Sequence, residues 1–269
     1  MNEEFLDRMD QQLTGWSDPA GQLQAALDND ELTLYCQPIR ALSGAQGYPL
    51  AEVLVRMRNE EKSLLPPGEF LPVFEHYRMM PHLDRWVVRN AARFLGRGSK
   101  VPRLTINLSG QTLEDPGFAE FVAEQAKAAG IAPAALLFEI DESDILAHPS
   151  PAELACLALK RIGCGTLIDS FGRRAVSFAP LKSMRVDFIK VDGCVTRKVL
   201  SSSAAETKLK AVLRVGETLG IGVIAECVED QDVLLRLKAL GVGYAQGFGI
   251  TQPHPIDAIA ASARVLSPA

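Results

Sequence analysis

Six polar residues of this sequence stand at or just after the ends of short apolar segments, where their side chains could act on a bound molecule. The six are Asn107, Glu139, Asp169, Lys190, Glu226 and Gln246. Carboxylates gathered at one point repel each other unless a cation lies among them, and carboxylate and amide oxygens are the ligands that Mg²⁺, Mn²⁺ and Ca²⁺ prefer. The set therefore predicts a site for a divalent metal ion.

Each of these residues also has a plainer explanation when it is taken alone. A polar residue after a strand often caps the next helix or hydrogen-bonds to the end of the strand. Lys190 has two further interpretations. A lysine removed from water becomes a nucleophile that can form a Schiff base, or it can simply pair with Asp192 or with a buried carboxylate. These alternatives stay open, and the number of such residues in one chain favours the metal site.

The apolar segments that carry these residues alternate with amphipathic segments. The predicted strands cover residues 32–37, 51–57, 104–108, 136–140, 166–169, 186–191, 222–226 and 244–246. The predicted helices cover residues 83–95, 118–129, 152–162, 204–219 and 231–240. This alternation favours an α/β fold, a (β/α)8 barrel in which the carboxyl ends of the strands face the active site. An open doubly wound sheet is disfavoured, since no glycine-rich phosphate turn follows the first strand.

Composition and charge exclude several classes of function. Lys and Arg number 28 against 33 Asp and Glu, so no general positive field attracts DNA or an anionic membrane. The five cysteines contain no Cys-x-x-Cys pair and the four histidines lack metal-ligand spacing, which argues against a zinc site. No apolar run reaches the roughly 18 residues of a membrane span, and the N-terminus lacks a targeting signal, so we expect a cytoplasmic location.

A change of pattern divides the chain into two parts. Residues 1–19 are polar with apolar residues at helical spacing, which predicts a connector helix and a linker. Residues 20–269 form the predicted main domain. A connector of this kind is compatible with an upstream signalling domain in a longer chain.

The order of these segments resembles the EAL domains, a family of cyclic di-GMP phosphodiesterases and receptors built on a modified TIM-type (β/α)8 barrel. The resemblance covers about residues 20 to 258. The matching segments are Tyr-Cys-Gln-Pro-Ile at 35–39, Glu-Val-Leu-Val-Arg at 52–56, Leu-Asp-Arg-Trp-Val at 83–87, Asn-Leu-Ser at 107–109, Phe-Glu-Ile-Asp-Glu at 138–142, Asp-Ser-Phe-Gly at 169–172, Lys-Val-Asp at 190–192, Ala-Glu-Cys-Val-Glu at 225–229 and Gln-Gly-Phe at 246–248.

The resemblance implies a two-metal site that uses Mg²⁺ or Mn²⁺, with Ca²⁺ as a non-productive ion. The implied metal ligands are Glu52, Asn107, Glu139, Asp169 and Glu226. Catalytic roles are implied for Lys190, Glu52, Glu226, Glu229 and Gln246. Contacts to cyclic di-GMP are implied for Gln37, Glu52, Val53, Leu54, Arg56, Asn107, Asp169 and Glu226. In this scheme Lys190 holds the attacking water, Arg56 grips a phosphate and Glu142 supports the loop after Asp169.

Two departures from the family pattern concern that loop. Ser170 follows Asp169 where the active pattern has a second aspartate, so a ligand of the second metal is lost. Arg173 and Arg174 replace small residues, and they could bind a phosphate, pair with Glu142 or remain solvated.

The resemblance, together with these departures, therefore implies a cyclic di-GMP receptor in which hydrolysis is impaired or absent. One alternative is an active phosphodiesterase that produces linear pGpG. Another is a protein-interaction module that no longer binds nucleotide. The resemblance also implies a homodimer, and it leaves room for a protein partner.

Overall fold

The computed structural model describes residues 18–29, 31–43, 47–58, 64–65, 67–174 and 177–261. The strands are β1 (Leu32–Ala41), β2 (Leu50–Arg58), β3 (Leu64–Leu65), β4 (Leu104–Leu108), β5 (Leu136–Asp141), β6 (Gly165–Phe171), β7 (Phe188–Val191), β8 (Gly222–Ala225), β9 (Tyr244–Ala245) and β10 (His254–Pro255). Of the predicted connector helix and linker at residues 1–19, residues 1–17 lie outside the described residues, as do the last eight residues of the predicted domain, 262–269.

Helices lie between most of the consecutive strands along the chain. They are α1 (Pro19–Asp28), α2 (Pro67–His76), α3 (Met80–Gly96), α4 (Phe118–Ala129), α5 (Glu142–Ala147), α6 (Pro149–Arg161), α7 (Ala179–Ser183), α8 (Gly193–Thr196), α9 (Ser203–Leu219), α10 (Gln231–Ala239) and α11 (Ile256–Ala261). All five predicted helices are present, as α3, α4, α6, α9 and α10. No helix in the described part of the chain is long and apolar enough to cross a membrane.

Local sequence explains where the longer helices begin and end. Ser202 caps α9 by accepting a hydrogen bond from the backbone N–H of Ala205 at 3.3 Å, and Asp230 caps α10 in the same way. Gly130 and Gly220 follow α4 and α9 with φ of 69° and 71°, a left-handed conformation that glycine adopts without strain. These signals fix the ends of the segments that connect the strands.

Eight of the strands close a barrel. The order around it is β1, β2, β4, β5, β6, β7, β8, β9 and back to β1, while β3 and β10 extend β2 and β1 outside the ring. From β2 to β9 every neighbouring pair of the ring is parallel. The predicted α/β fold of the modified TIM type is therefore confirmed.

The uniform strand–helix repeat is wrong for the first unit, because β1 runs antiparallel to both β2 and β9. Residues 42–49 alone join β1 to β2. A parallel crossover needs a dozen or more residues, usually including a helix, whereas antiparallel strands can be joined by a short turn. The length of this connection therefore accounts for the reversed direction of the first strand.

Inside the barrel, one layer of apolar side chains forms a floor beneath the carboxyl ends of the strands. Its buried members are Ile39, Leu50, Leu137, Leu167, Phe188 and Ile224, with Tyr244 packed against them. A separate and larger core cluster includes side chains from both the strands and the helices. Because side chains of a strand alternate between its two faces, the residue two positions from each floor residue also points into the barrel.

We predict that Leu167→Ala lowers the free energy of unfolding by about 2–5 kcal/mol, because Leu167 is fully buried in the floor and its truncation leaves a cavity. The matched control is Leu154→Ala, whose side chain is 67% exposed on α6, and its change should stay within about 0.5 kcal/mol. Urea unfolding followed by circular dichroism measures both variants. Equal losses in the two would show that the floor does not support the barrel.

Candidate functional site

The floor residues determine which side chains reach the mouth of the barrel. On each strand that carries a floor residue, the residue two positions closer to the mouth is polar. These residues are Gln37 on β1, Glu52 on β2, Glu139 on β5, Asp169 on β6, Lys190 on β7, Glu226 directly after β8 and Gln246 directly after β9. On β4 the fully buried Thr105 lies in the corresponding lower position and Asn107 in the upper one. All six residues singled out at strand ends therefore belong to one ring.

The ammonium group of Lys190 lies at the centre of this ring. Its Nζ is 2.7 Å from Oε2 of Glu139, 3.0 Å from Oε2 of Glu52, 3.1 Å from Oε1 of Glu226 and 3.2 Å from Oδ1 of Asp169. The Lys190 side chain is only 1% exposed. A single buried positive charge therefore meets four carboxylates. Pairing of Lys190 with a buried carboxylate is found, as with Glu139, whereas Asp192 binds Arg173 instead. We call Lys190 and these four carboxylates the lysine cluster.

Burial and charge compete in setting the pKa values of the cluster. Burial alone would lower the pKa of Lys190, but the carboxylates, Asp169 foremost, outweigh burial and hold that pKa well above its ordinary value. Burial raises the pKa of Glu139 well above its usual range and that of Glu226 to about 8, with Lys190 offsetting only part of the effect. Burial therefore favours the protonated forms of Glu139 and Glu226, against the pull of the Lys190 charge.

Glu52 differs from its neighbours because several donors stabilise its charged form. Burial would raise its pKa, yet the charge of Lys190 and the hydrogen bonds to Glu52 lower it. Gln246 donates from Nε2 to Oε2 of Glu52 at 2.7 Å, and Asn107 donates from Nδ2 to Oε1 at 3.0 Å. Gln246 also donates to Gln37, which lies opposite Glu52 in the β1–β2 ladder. This network fixes the Glu52 carboxylate and keeps it ionised.

The donor set fits a hard divalent cation. Buried oxygens without a hydrogen-bond partner occur on Glu139 (Oε1) and Gln246 (Oε1), and carboxylate and amide oxygens are what Mg²⁺ and Mn²⁺ prefer. Across the described residues, however, no three His, Cys, Asp or Glu side chains are arranged to hold a metal. The carboxylates converge on Lys190 instead, so metal binding requires them to turn partly away from it.

A β-bulge places Ser170 beside the cluster. Between β6 and β7 the pairing shifts from Ile168–Ile189 to Phe171–Val191, so one residue of β6 is extra. Ser170 lies in this bulge with φ of 56°, a left-handed value uncommon for residues other than glycine. Its Oγ is 3.3 Å from Oδ2 of Asp169. A neutral hydroxyl therefore lies beside the carboxylate of Asp169.

The loop after Ser170 is held by ionic contacts that the sequence did not reveal. Arg173 donates from Nε to Oδ2 of Asp192 at 2.8 Å and from Nη2 to Oγ of Ser170 at 3.1 Å. Glu142 accepts a hydrogen bond from the backbone N–H of Gly172 at 3.2 Å. Arg173 therefore forms an ion pair with Asp192, which the sequence did not predict, and not the predicted pair with Glu142.

Other predicted site residues lie in different surroundings. Glu229 is exposed and pairs with Arg197 at 3.3 Å instead of joining the lysine cluster. Val53 is buried in the main core cluster, whereas Leu54 and Arg56 share the strand face of Glu52 by the two-residue period. The Arg56 guanidinium lies 5.6 Å from the ring centroid of Tyr35. The residues expected to contact a ligand are therefore split between the two faces of β2.

Two supporting residues were not identified as such from the sequence. Asp84 on α3 accepts hydrogen bonds at its Oδ2 from the backbone and hydroxyl of Ser109 and from the hydroxyl of Thr112, which fixes the segment after Asn107. Burial raises the pKa of Asp84 to about 6.

Gly247 follows Gln246 so close to Val228 that a Cβ would lie 2.2 Å from the Val228 carbonyl oxygen. Only glycine fits this crossing of two chain segments.

Comparison with known proteins identifies similar sequences and structures. The EAL domain family model matches residues 20–253. The chain is 31% identical over 240 residues to the cyclic di-GMP phosphodiesterase PdeB of Shewanella oneidensis, covering 88% of this chain and 28% of that protein. It is 31% identical over 238 residues to the cyclic di-GMP phosphodiesterase PdeF of Escherichia coli, covering 87% of this chain and 32% of that protein.

A solved structure agrees with these matches. The EAL domain of FimX from Pseudomonas aeruginosa, bound to c-di-GMP, superposes with a TM-score of 0.83 at 30% identity, covering 89% of this chain and 97% of that domain. The chain spans about a third of the length of the curated relatives, since 28% and 32% of them are matched.

We predict that Lys190→Met destabilises the protein by about 3–5 kcal/mol at pH 8, because the buried carboxylates lose their cation. The loss in free energy of unfolding, relative to the wild type, should be smaller at pH 5. Carboxylates whose pKa is raised by burial take up protons there, and the stability of the variant is lost as pH rises through those pKa values. Urea unfolding at both pH values measures the difference.

The matched control for this prediction is Lys160→Met, which removes a lysine paired with Asp187 at 2.6 Å on a partly exposed surface. Its effect should be at most about 1 kcal/mol and nearly the same at both pH values. A Lys190→Met deficit that does not change with pH, or that equals the control, would contradict the assigned charge balance.

Proposed function

Because the chain belongs to the EAL domain family, we propose that it binds cyclic di-GMP at the mouth of the barrel and acts mainly as a receptor whose hydrolysis is impaired or absent. One observation carries the proposal. A complete lysine cluster stands directly beside Ser170, a neutral residue in the position of an expected metal ligand. Binding groups are retained, while one group needed for hydrolysis is missing.

Nucleotide binding is supported by the placement of Arg56 on the same face of β2 as Glu52. A guanidinium presents a planar fork of donors that matches the oxygens of a phosphate. Gln37, Leu54 and Asn107 complete the proposed contacts, with Val53 contributing through its backbone. The FimX domain of similar fold is described with c-di-GMP bound.

The proposed metal ligands are Glu52, Asn107, Glu139, Asp169 and Glu226, holding Mg²⁺ or Mn²⁺, or Ca²⁺ without turnover. Such an ion activates a bound water at neutral pH and neutralises charge on phosphoryl oxygens. Lys190 would keep its proton and orient the surrounding carboxylates. Once metal binding turns some of those carboxylates away, the freed N–H of Lys190 would hold a water by donating a hydrogen bond. Gln246 would keep Glu52 ionised and in position.

Impaired hydrolysis follows from the chemistry of residue 170. A hydroxyl is a poor ligand for a hard cation, and loss of an outer-sphere partner alone typically costs about 10- to 100-fold in metal affinity or activity. The neighbouring guanidinium of Arg173 also brings a positive charge within 3.1 Å of the Ser170 hydroxyl. A second metal ion would therefore meet both a missing ligand and an electrostatic penalty.

A second candidate function is an active phosphodiesterase that opens cyclic di-GMP to linear pGpG. The observation that favours it is the lysine cluster, in which all four carboxylates converge on Lys190. Apart from Ser170, the proposed catalytic groups of this cluster are therefore present. A homodimer, a protein partner and an upstream signalling domain are further proposals from the family membership.

The first experiment combines a calorimetric titration of cyclic di-GMP in Ca²⁺ with chromatography of the products formed in Mg²⁺ or Mn²⁺. We expect clear binding and little or no pGpG. Arg56→Ala should weaken binding about 10-fold or more through loss of a charged hydrogen bond. Arg58→Ala, an exposed arginine at the end of the same strand, should bind like the wild type. Absence of binding by the wild type would refute the receptor proposal.

We also predict that Ser170→Asp increases metal-dependent formation of pGpG about 10-fold or more, because it restores a carboxylate. The left-handed backbone at residue 170 tolerates aspartate and asparagine better than most side chains. Ser170→Asn is therefore the matched control, with the same backbone preference and no charge. An equal gain in both variants, or no gain with binding intact, would assign the defect to the loop at residues 172–174.

A further inference from the structure

A second guanidinium is held at the rim of the proposed nucleotide site. Arg173 lies in the loop after β6, and its Nε and Nη2 donate to Asp192 and Ser170 at 2.8 and 3.1 Å. Ser170 in turn contacts Asp169 of the lysine cluster at 3.3 Å. Arg173 is therefore only one hydroxyl group away from the carboxylates that line the mouth.

The anchor of Arg173 is rigid. Asp192 follows β7, and its Oδ1 accepts a hydrogen bond from the backbone N–H of Cys194 at 2.7 Å, which caps α8. Its own backbone N–H donates to the carbonyl of Phe171 at 3.1 Å. The Asp192 side chain is 10% exposed, whereas that of Arg173 is 60% exposed. A buried carboxylate thus fixes one edge of the guanidinium and leaves its other edge open.

A phosphate that enters the mouth of the barrel needs a positively charged group there, and Arg173 supplies one. Each phosphodiester of a cyclic dinucleotide is an anion, and it would approach four carboxylates. Lys190 cannot meet it, because its ammonium is 1% exposed and already contacts all four. An arginine that is oriented in advance loses little entropy on binding phosphate, and its fork matches two phosphate oxygens.

We propose, on the basis of the proposed function, that Arg173 is a phosphate-binding residue of the nucleotide site, and that its fixed charge reduces the dependence of nucleotide binding on a divalent metal. The N–H groups that face neither Asp192 nor Ser170 donate to a phosphate oxygen of the ligand. The positive charge that a metal would supply at this side of the mouth is then partly supplied by the chain itself.

The test is a set of calorimetric titrations with cyclic di-GMP, in EDTA and in Ca²⁺, on the whole chain. Arg173→Gln keeps a donor for Asp192 but removes the charge, and it should weaken binding in EDTA about 10-fold or more. The loss should be smaller in Ca²⁺. Arg173→Lys, which keeps the charge, should lose less than Arg173→Gln. Arg174→Gln, an exposed neighbour, should match the wild type.

The outcomes separate this inference from the proposed function. If the wild type binds in neither condition, the proposed function itself fails. If it binds only in Ca²⁺, or if Arg173→Gln binds like the wild type in EDTA, the role of Arg173 is overturned and the receptor proposal stands. An equal loss in both conditions also overturns the role in replacing metal charge. Binding of Arg173→Gln in Ca²⁺, with an unchanged unfolding midpoint, verifies that the variant is folded.

Discussion

The site depends on one buried ammonium group surrounded by four carboxylates. A charge removed from water is stable only when it is paired and hydrogen-bonded, and Lys190 meets that condition with contacts of 2.7 to 3.2 Å. The carboxylates in turn need the ammonium, since burial already raises the pKa values of Glu139 and Glu226. Lys190 on β7 thus joins β2, β5, β6 and the residue after β8, and any cation that enters must compete with its ammonium group.

The barrel supplies this arrangement through strand register. Leu137, Leu167 and Phe188 fill the floor, and the residues two positions later, Glu139, Asp169 and Lys190, form the site above it. A one-residue slip of a strand would exchange its inner and outer faces, so the packing of the floor and the placement of charge are the same constraint. The bulge at Ser170 is a local exception, and it turns the following loop so that Arg173 reaches Asp192.

Much of this was predictable from the sequence, because short apolar segments that end in a polar residue indicate both the strands and the ring at their ends. The resemblance to EAL domains, carried by ordered motifs, is confirmed. Strand direction was missed, since the pattern of β1 does not encode it and the short connection to β2 does. Two ion pairs were also missed, because they connect loop residues that are distant in sequence. They are Arg173 with Asp192 and Arg197 with Glu229. Such contacts depend on the backbone path of the loop, which hydrophobic periodicity does not specify.

The most direct test of the account is a crystal structure of the chain with cyclic di-GMP and Ca²⁺. The account predicts the nucleotide at the mouth of the barrel, with a phosphate near Arg56 and Arg173, Ca²⁺ bound by carboxylates of the lysine cluster, and Lys190 still buried. A nucleotide bound on another surface, or crystals grown at saturating nucleotide in which this mouth holds none, would contradict it.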